Sequence, residues 1–158
     1  MINQDFKDLF RIFNECGVRY LVVGAYAVVY YTEPRYTKDL DIWVETTPEN
    51  AKRVWEALQQ FGAPLIDVTE KDFCNREIVY QIGVEPNRID IMTDITGIRF
   101  SDAWKNRVKS KYEGESIYVL GIDDLIRAKK KAGRLQDELD LQLLEKIKKN
   151  TKKKGDFH

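Results

Sequence analysis

Residues 39–45, Asp39-Leu40-Asp41-Ile42-Trp43-Val44-Glu45, decide the reading of this chain. The stretch is apolar enough for a buried β-strand, yet it carries two aspartates at i and i+2. Alternate residues of a strand share a face, so Leu40, Ile42 and Val44 are expected in the core. Asp39, Asp41 and Trp43 then share the other face. The two carboxylates would stand about 6.5–7 Å apart at Cα, near enough to hold one or two divalent cations. The competing interpretation is an amphipathic strand with one wet face.

A second stretch weighs against that interpretation. In Arg88-Ile89-Asp90-Ile91-Met92 the isoleucines alternate with Arg88, Asp90 and Met92. If the two strands are neighbours, Asp39, Asp41 and Asp90 converge. Three clustered carboxylates repel one another without a cation, and Mg²⁺ favours a few carboxylates completed by water and substrate phosphate oxygens.

Outward from these strands, Phe6, Leu9, Phe10 and Phe13 recur at helical spacing, predicting a helix over 3–16. RYLVVG (19–24) reads as a short strand ending at Gly24, and AYAVVYYT (25–32) as a helix by position and length. Gly24 allows a tight turn, and the amides opening the next helix suit a phosphate; one glycine would serve the turn alone equally well. TEPRYTK (32–38) is a loop, because Pro34 disfavours helix in the residue before it. Thr47 as cap, Pro48 in the first turn and Gly62 at the end bound a helix.

Residues 77–83 and 88–93 form a predicted hairpin, and Ser101 is expected to cap a short helix. A second hairpin turns at Glu113-Gly114-Glu115, and Asp123 is expected to cap a last helical region broken at Gly133. The order predicts one α/β (α+β) domain over 1–150, a small mixed sheet flanked by helices, with a basic, disordered tail at 151–158. His158 belongs to that tail.

Composition sets the class. At 158 residues, 43% hydrophobic and 33% charged, the chain suits one globular domain. Cys16 and Cys74 fit no metal-ligand spacing, and a reduced, cytoplasmic protein with structural thiols is expected. No apolar run reaches membrane-spanning length, and the amino terminus is amphipathic, unlike a signal peptide. The net charge of zero hides an asymmetry, since residues 127–154 hold eleven Lys/Arg against four Asp/Glu. That basic end can attract a polyanion or simply be solvated.

Together these motifs resemble the DNA polymerase β-like nucleotidyltransferase superfamily: a glycine and a small residue after a strand, D-x-D after a helix and loop, and a third aspartate on a later strand. Gly24-Ala25-Tyr26-Ala27-Val28, Arg35-x-Thr37-x-Asp39-x-Asp41 and KKKAGRLQDELD look most like the AbiEii/MenT toxin-type branch, over about residues 18–145. The resemblance implies two-metal transfer of a nucleotide from an NTP to a hydroxyl. Asp39, Asp41 and Asp90 would hold Mg²⁺ or Mn²⁺, with Asp90 serving the acceptor side. Gly24 and Ala25 would cradle phosphates, Lys129 and Arg134 would offset triphosphate charge, and Arg35 and Thr37 would order the loop before the metal strand.

Much of the superfamily has serine or glycine where Ala25 stands; alanine keeps the amide and loses a hydroxyl contact. The chain is also shorter than many toxin-type members, so the acceptor part is expected to be reduced or supplied by a partner. The implied acceptors are tRNA, protein or small molecules, with a cognate antitoxin as further partner. A non-catalytic nucleotide- or partner-binding module is the alternative; Tyr36, beside the metal strand, is the aromatic best placed to meet a base.

Overall fold

The computed structural model describes residues 3–32, 39–75, 77–84 and 87–154, excepting the side chains of Gln136 and 151–154. The order is α1 (Gln4–Glu15), β1 (Tyr20–Val23), α2 (Gly24–Tyr31), β2 (Leu40–Val44) and α3 (Pro48–Phe61), then a 3₁₀ turn (Glu70–Cys74). It continues with β3 (Val79–Ile82), β4 (Ile89–Met92), α4 (Phe100–Lys105), β5 (Val108–Tyr112), β6 (Glu115–Val119), α5 (Ile122–Ala132) and α6 (Leu135–Lys154). Six strands form one mixed sheet in the order β3-β4-β2-β1-β6-β5. The expected mixed α/β architecture is present.

The apolar alternation accounts for the core. Leu40, Ile42 and Val44 are fully buried, as are Leu9, Phe10 and Phe13 of α1 and Val54 and Leu58 of α3. Asn50, buried in the first turn of α3, ties strand ends together. Its amide accepts from the Arg19 N–H and donates to the carbonyls of Arg19 and Glu45. Thr47 caps α3 as expected, accepting from the Asn50 N–H at 3.2 Å.

Two expected caps are corrected. α4 is preceded by Arg99, so Ser101 lies inside the helix and caps nothing. Gly121 occupies the cap position of α5, which places Asp123 within its first turn, where a carboxylate complements the helix dipole. The break at Gly133 is present: φ of +67° ends α5, and the chain doubles back into α6.

The carboxylate-bearing face is not simply wet. Trp43 is buried under α4, its ring edge-on to Phe100 at 5.0 Å between centroids. Tyr31 is also a packing residue, its hydroxyl donating to the Leu120 carbonyl. Cys16 is half-buried, whereas Cys74 is exposed and so is not a core residue. α6 runs to Lys154; His158 and the rest of 155–158 lie outside the described residues. Among those described, no helix is long and apolar enough to cross a membrane.

Candidate active site

The strand order creates the site. β2 lies between β1, antiparallel to it, and β4, parallel to it. Parallel register sets Asp41 beside Asp90, on the same face of adjacent strands. Antiparallel register sets Asp41 beside Val23, where β1 ends. The turn into α2 therefore begins against the aspartate.

Gly24 at that turn has φ of +66°, and a Cβ there would fall 2.2 Å from Asp41 Oδ2. The backbone angle makes a side chain strained there, and a Cβ would force the Asp41 carboxylate to move. Val23, in the cap position of α2, has no polar side chain to bond to the first-turn amides. Ala25 is half-exposed in that turn. The amino end of α2, where backbone N–H groups favour negative charge, thus adjoins Asp41.

Electrostatics mark Asp41 as the strained member. Burial, then the charges of Asp90 and Asp39, push its carboxyl up to about 6, against the pull of Lys129 and Arg88. Asp90 is buried and held by a bidentate fork, with Arg88 Nε donating to Oδ1 at 2.8 Å and Nη2 to Oδ2 at 3.2 Å. The same Nη2 lies 3.3 Å from Asp39 Oδ2. Arg88 therefore joins two members of the triad.

The sequence assigned Arg88 no role. Its signal was the period-two spacing, which placed it on Asp90's face.

These donors suit a hard divalent cation in kind and in register: three carboxylates on one sheet face, with too much negative charge. Among the described residues, however, no three acidic, His or Cys side chains are gathered closely enough to enclose a metal. Arg88 supplies positive charge to Asp39 and Asp90 instead.

Lys129 and Arg134 fall differently from expectation. Lys129 lies inside the fold and not on the solvated face of its lysine-rich helix. It is buried, with Nζ 3.0 Å from Asp137 Oδ1 and 3.3 Å from Asp140 Oδ2. The reversal at Gly133 folds α6 back so that its inward acids meet the lysine. Arg134, with 75% of its side chain exposed, still donates from Nε to Asp137 Oδ2 at 2.7 Å. Asp137 also accepts from the Arg134 backbone N–H at 3.1 Å, as a third-position acid does at a helix start. Burial pushes the Asp137 carboxyl up, but hydrogen bonds from Arg134 and Lys129, with the charge of Lys129, outweigh it and hold it at about 2. Arg35, Thr37 and Tyr36 lie outside the described residues.

Residues 2–157 match a family described as "Nucleotidyl transferase of unknown function (DUF2204)". The chain belongs to that family. No curated protein matches it in sequence.

Solved structures share the fold. Lincosamide antibiotic adenylyltransferase LnuA aligns over 92% of this chain and 98% of its own, with a TM-score of 0.58 and 13% identity. A putative nucleotidyltransferase from Thermotoga maritima aligns over 90% and 93%, at 0.57 and 20%. The antibiotic-resistance factor ANT(2'')-Ia aligns over 92% and 86%, at 0.61 and 10%. The family and these neighbours place the chain in the nucleotidyltransferase superfamily.

Proposed function

We propose that the chain transfers a nucleotide from an NTP to a hydroxyl acceptor on the face of β2 and β4, using Mg²⁺ or Mn²⁺. The observation that carries this reading is the parallel register of Asp41 and Asp90, with Gly24 pressed against Asp41. Asp39, Asp41 and Asp90 would hold the cations. When bound, these would neutralise phosphate charge and stabilise the attacking and leaving oxygens of an in-line displacement.

The protein's own part is positioning. Asp39 and Asp41 bind on the triphosphate side, and Asp90 orients the acceptor hydroxyl. The amides of Gly24 and Ala25 receive phosphate oxygens without needing a side chain. Arg134, exposed beside the salt-bridged knot of Lys129, Asp137 and Asp140, meets triphosphate charge from the edge, with Arg35 and Thr37 ordering the loop before the metal strand. Lys129 acts by holding the α5–α6 turn and by its charge near Asp41, with no direct contact to substrate.

A small hydroxylated acceptor is favoured by the likeness to the lincosamide adenylyltransferase over nearly the whole of both chains. The AbiEii/MenT assignment, with tRNA or protein as acceptor, a cognate antitoxin and cytoplasmic action, rests on motif resemblance. Part of that motif, KKKAGRLQDELD, has a structural account in the salt-bridged knot. Incubation with each labelled NTP and Mg²⁺, offering total RNA, protein or a panel of small polyols and aminoglycosides, tests the reading. Label should enter one acceptor class and disappear in Asp41→Asn. Nucleotide binding with no transfer to any class would favour the non-catalytic module.

A further inference from the structure

α6 carries apolar side chains on two faces. Its inward face, with Asp137, Asp140 and Leu144, is buried against the rest of the fold. On another face Leu135, Leu139 and Leu143 are exposed, at 78%, 51% and 44%. They recur every four residues, and half-buried Ile147 continues the row. Residues four apart are neighbours on a helix surface, so this is one continuous apolar ridge about 18 Å long. A helix that is apolar on both faces is ordinarily covered on both. α5 does not cover this ridge: it lies on the flank where Glu145 meets Lys130 and Lys148 meets Asp123.

The row beside the ridge carries a matching order of charge. Glu138, Gln142 and Lys146 are exposed and also four apart, running acid, neutral, base. Turned end for end, the ridge meets an identical ridge and each charge meets its opposite. We propose that a second copy of this chain covers the ridge, with the two α6 helices antiparallel about a two-fold axis near residues 141–142. Leu139 of each copy then lies opposite Leu143 of the other, Leu135 opposite Ile147, and Glu138 opposite Lys146. A two-fold contact demands such self-complementarity. A parallel pair would instead set Glu138 against Glu138 and Lys146 against Lys146, like charges that repel.

Rows of side chains four apart pack as ridges into the grooves of a facing helix. Burial of the leucines supplies the affinity, and the flanking charges choose the orientation. One helix per copy makes a contact that is small beside the roughly 1,200–2,000 Å² of stable complexes. The dimer should therefore be reversible, with a dissociation constant on the order of 10 μM.

The test is sedimentation of the full chain from about 1 to 500 μM. The unaltered chain should pass from one copy to two across that range. Leu139→Glu, at an exposed position, should weaken pairing at least about twenty-fold, since two such carboxylates enter one apolar contact. Glu138→Lys alone should weaken it by about three- to ten-fold at low salt. The double change Glu138→Lys, Lys146→Glu should restore pairing to within about two-fold, and it keeps the test decisive if Leu139→Glu does not fold. Oxidation in a Cys74→Ser background, which removes the exposed native thiol, reads the orientation. Gln142→Cys chains should link across the axis, whereas Leu135→Cys chains should not, being about 18 Å apart along the helices. Three results each overturn the proposal: a single copy at every concentration, a dimer indifferent to both Leu139→Glu and Glu138→Lys, or Leu135→Cys chains that link as readily as Gln142→Cys chains.

Discussion

Two clusters of charge lie on this fold, and they are balanced in opposite ways. At the α5–α6 turn, Lys129 and Arg134 meet Asp137 and Asp140: two cations for two anions, with Asp137 held at about 2. On the face of β2 and β4, Arg88 contacts Asp39 and Asp90 but not Asp41, whose carboxyl is pushed up to about 6. One cluster lowers a carboxyl pKa and the other raises one. A folded chain satisfies buried charge unless a ligand is to complete it. The knot is therefore read as structure, and the triad as a site that awaits positive charge.

The largest expected effect tests the triad as chemistry. Asp90→Asn keeps the shape and loses one charge, so it should lower nucleotide transfer by roughly three orders of magnitude. NTP·Mg²⁺ affinity should stay within about a few-fold. Single-turnover rates and calorimetry on the same preparation separate the two. Parallel losses would make Asp90 a ground-state ligand; an unchanged rate would remove it from the site and erase the contrast between the clusters.

The knot should answer in stability instead. Asp137→Ala leaves Lys129 buried with one fewer partner and removes the bond to the Arg134 N–H. Breaking a buried pair this way should cost about 3 kcal/mol, read from urea unfolding. A stable Asp137→Ala protein that no longer binds NTP would turn the knot into a substrate site.

The two clusters should also bend stability in opposite directions with pH. Asp137 titrates lower in the folded than in the unfolded chain, so its contribution is complete above about pH 4 and lost as pH falls toward 2; it amounts to about 2 kcal/mol. Asp41 titrates higher when folded. Without cations it should cost stability as pH rises from about 4 to 6, reaching at most about 3 kcal/mol above that window. Asp41→Asn should therefore stabilise the cation-free chain at pH 7 and leave it unchanged near pH 3. A loss of stability at pH 7 would make Asp41 a structural residue.

The triad was legible because a strand's period of two is rigid. Alternation in LDIWV and RIDIM put the aspartates on one face, and only the adjacency of β2 and β4 had to be supplied. Arg88 obeyed the same alternation, yet composition cannot tell a charge that faces water from one that folds back onto its neighbour. Lys129 was misplaced for a different reason. In a lysine-rich helix each lysine looks solvated, and only the reversal at Gly133 reveals which one is covered. A sign was present: Asp137 and Asp140 recur at helical spacing with Leu144, a buried face that holds two acids and so requires a buried base. Caps at Ser101 and Asp123 failed because a polar residue in a first turn and one at the cap position look alike in sequence.

Arg134 carries the smallest expected effect and sharpens the boundary between the clusters, since it belongs in part to each. Its Nε is fixed on Asp137, yet most of its side chain is exposed. Solvent screens such a contact, so Arg134→Ala should lower stability by no more than about 1 kcal/mol, far less than Asp137→Ala. If the exposed guanidinium also meets the triphosphate, NTP affinity should fall by about three- to ten-fold at low salt, with the difference shrinking as ionic strength rises. Arg134→Lys should recover the salt-dependent part, because a point charge suffices there, but not the forked contact with Asp137. Calorimetric titration of NTP at two salt concentrations reads this directly. Equal affinities in all three chains would confine Arg134 to its contacts with Asp137.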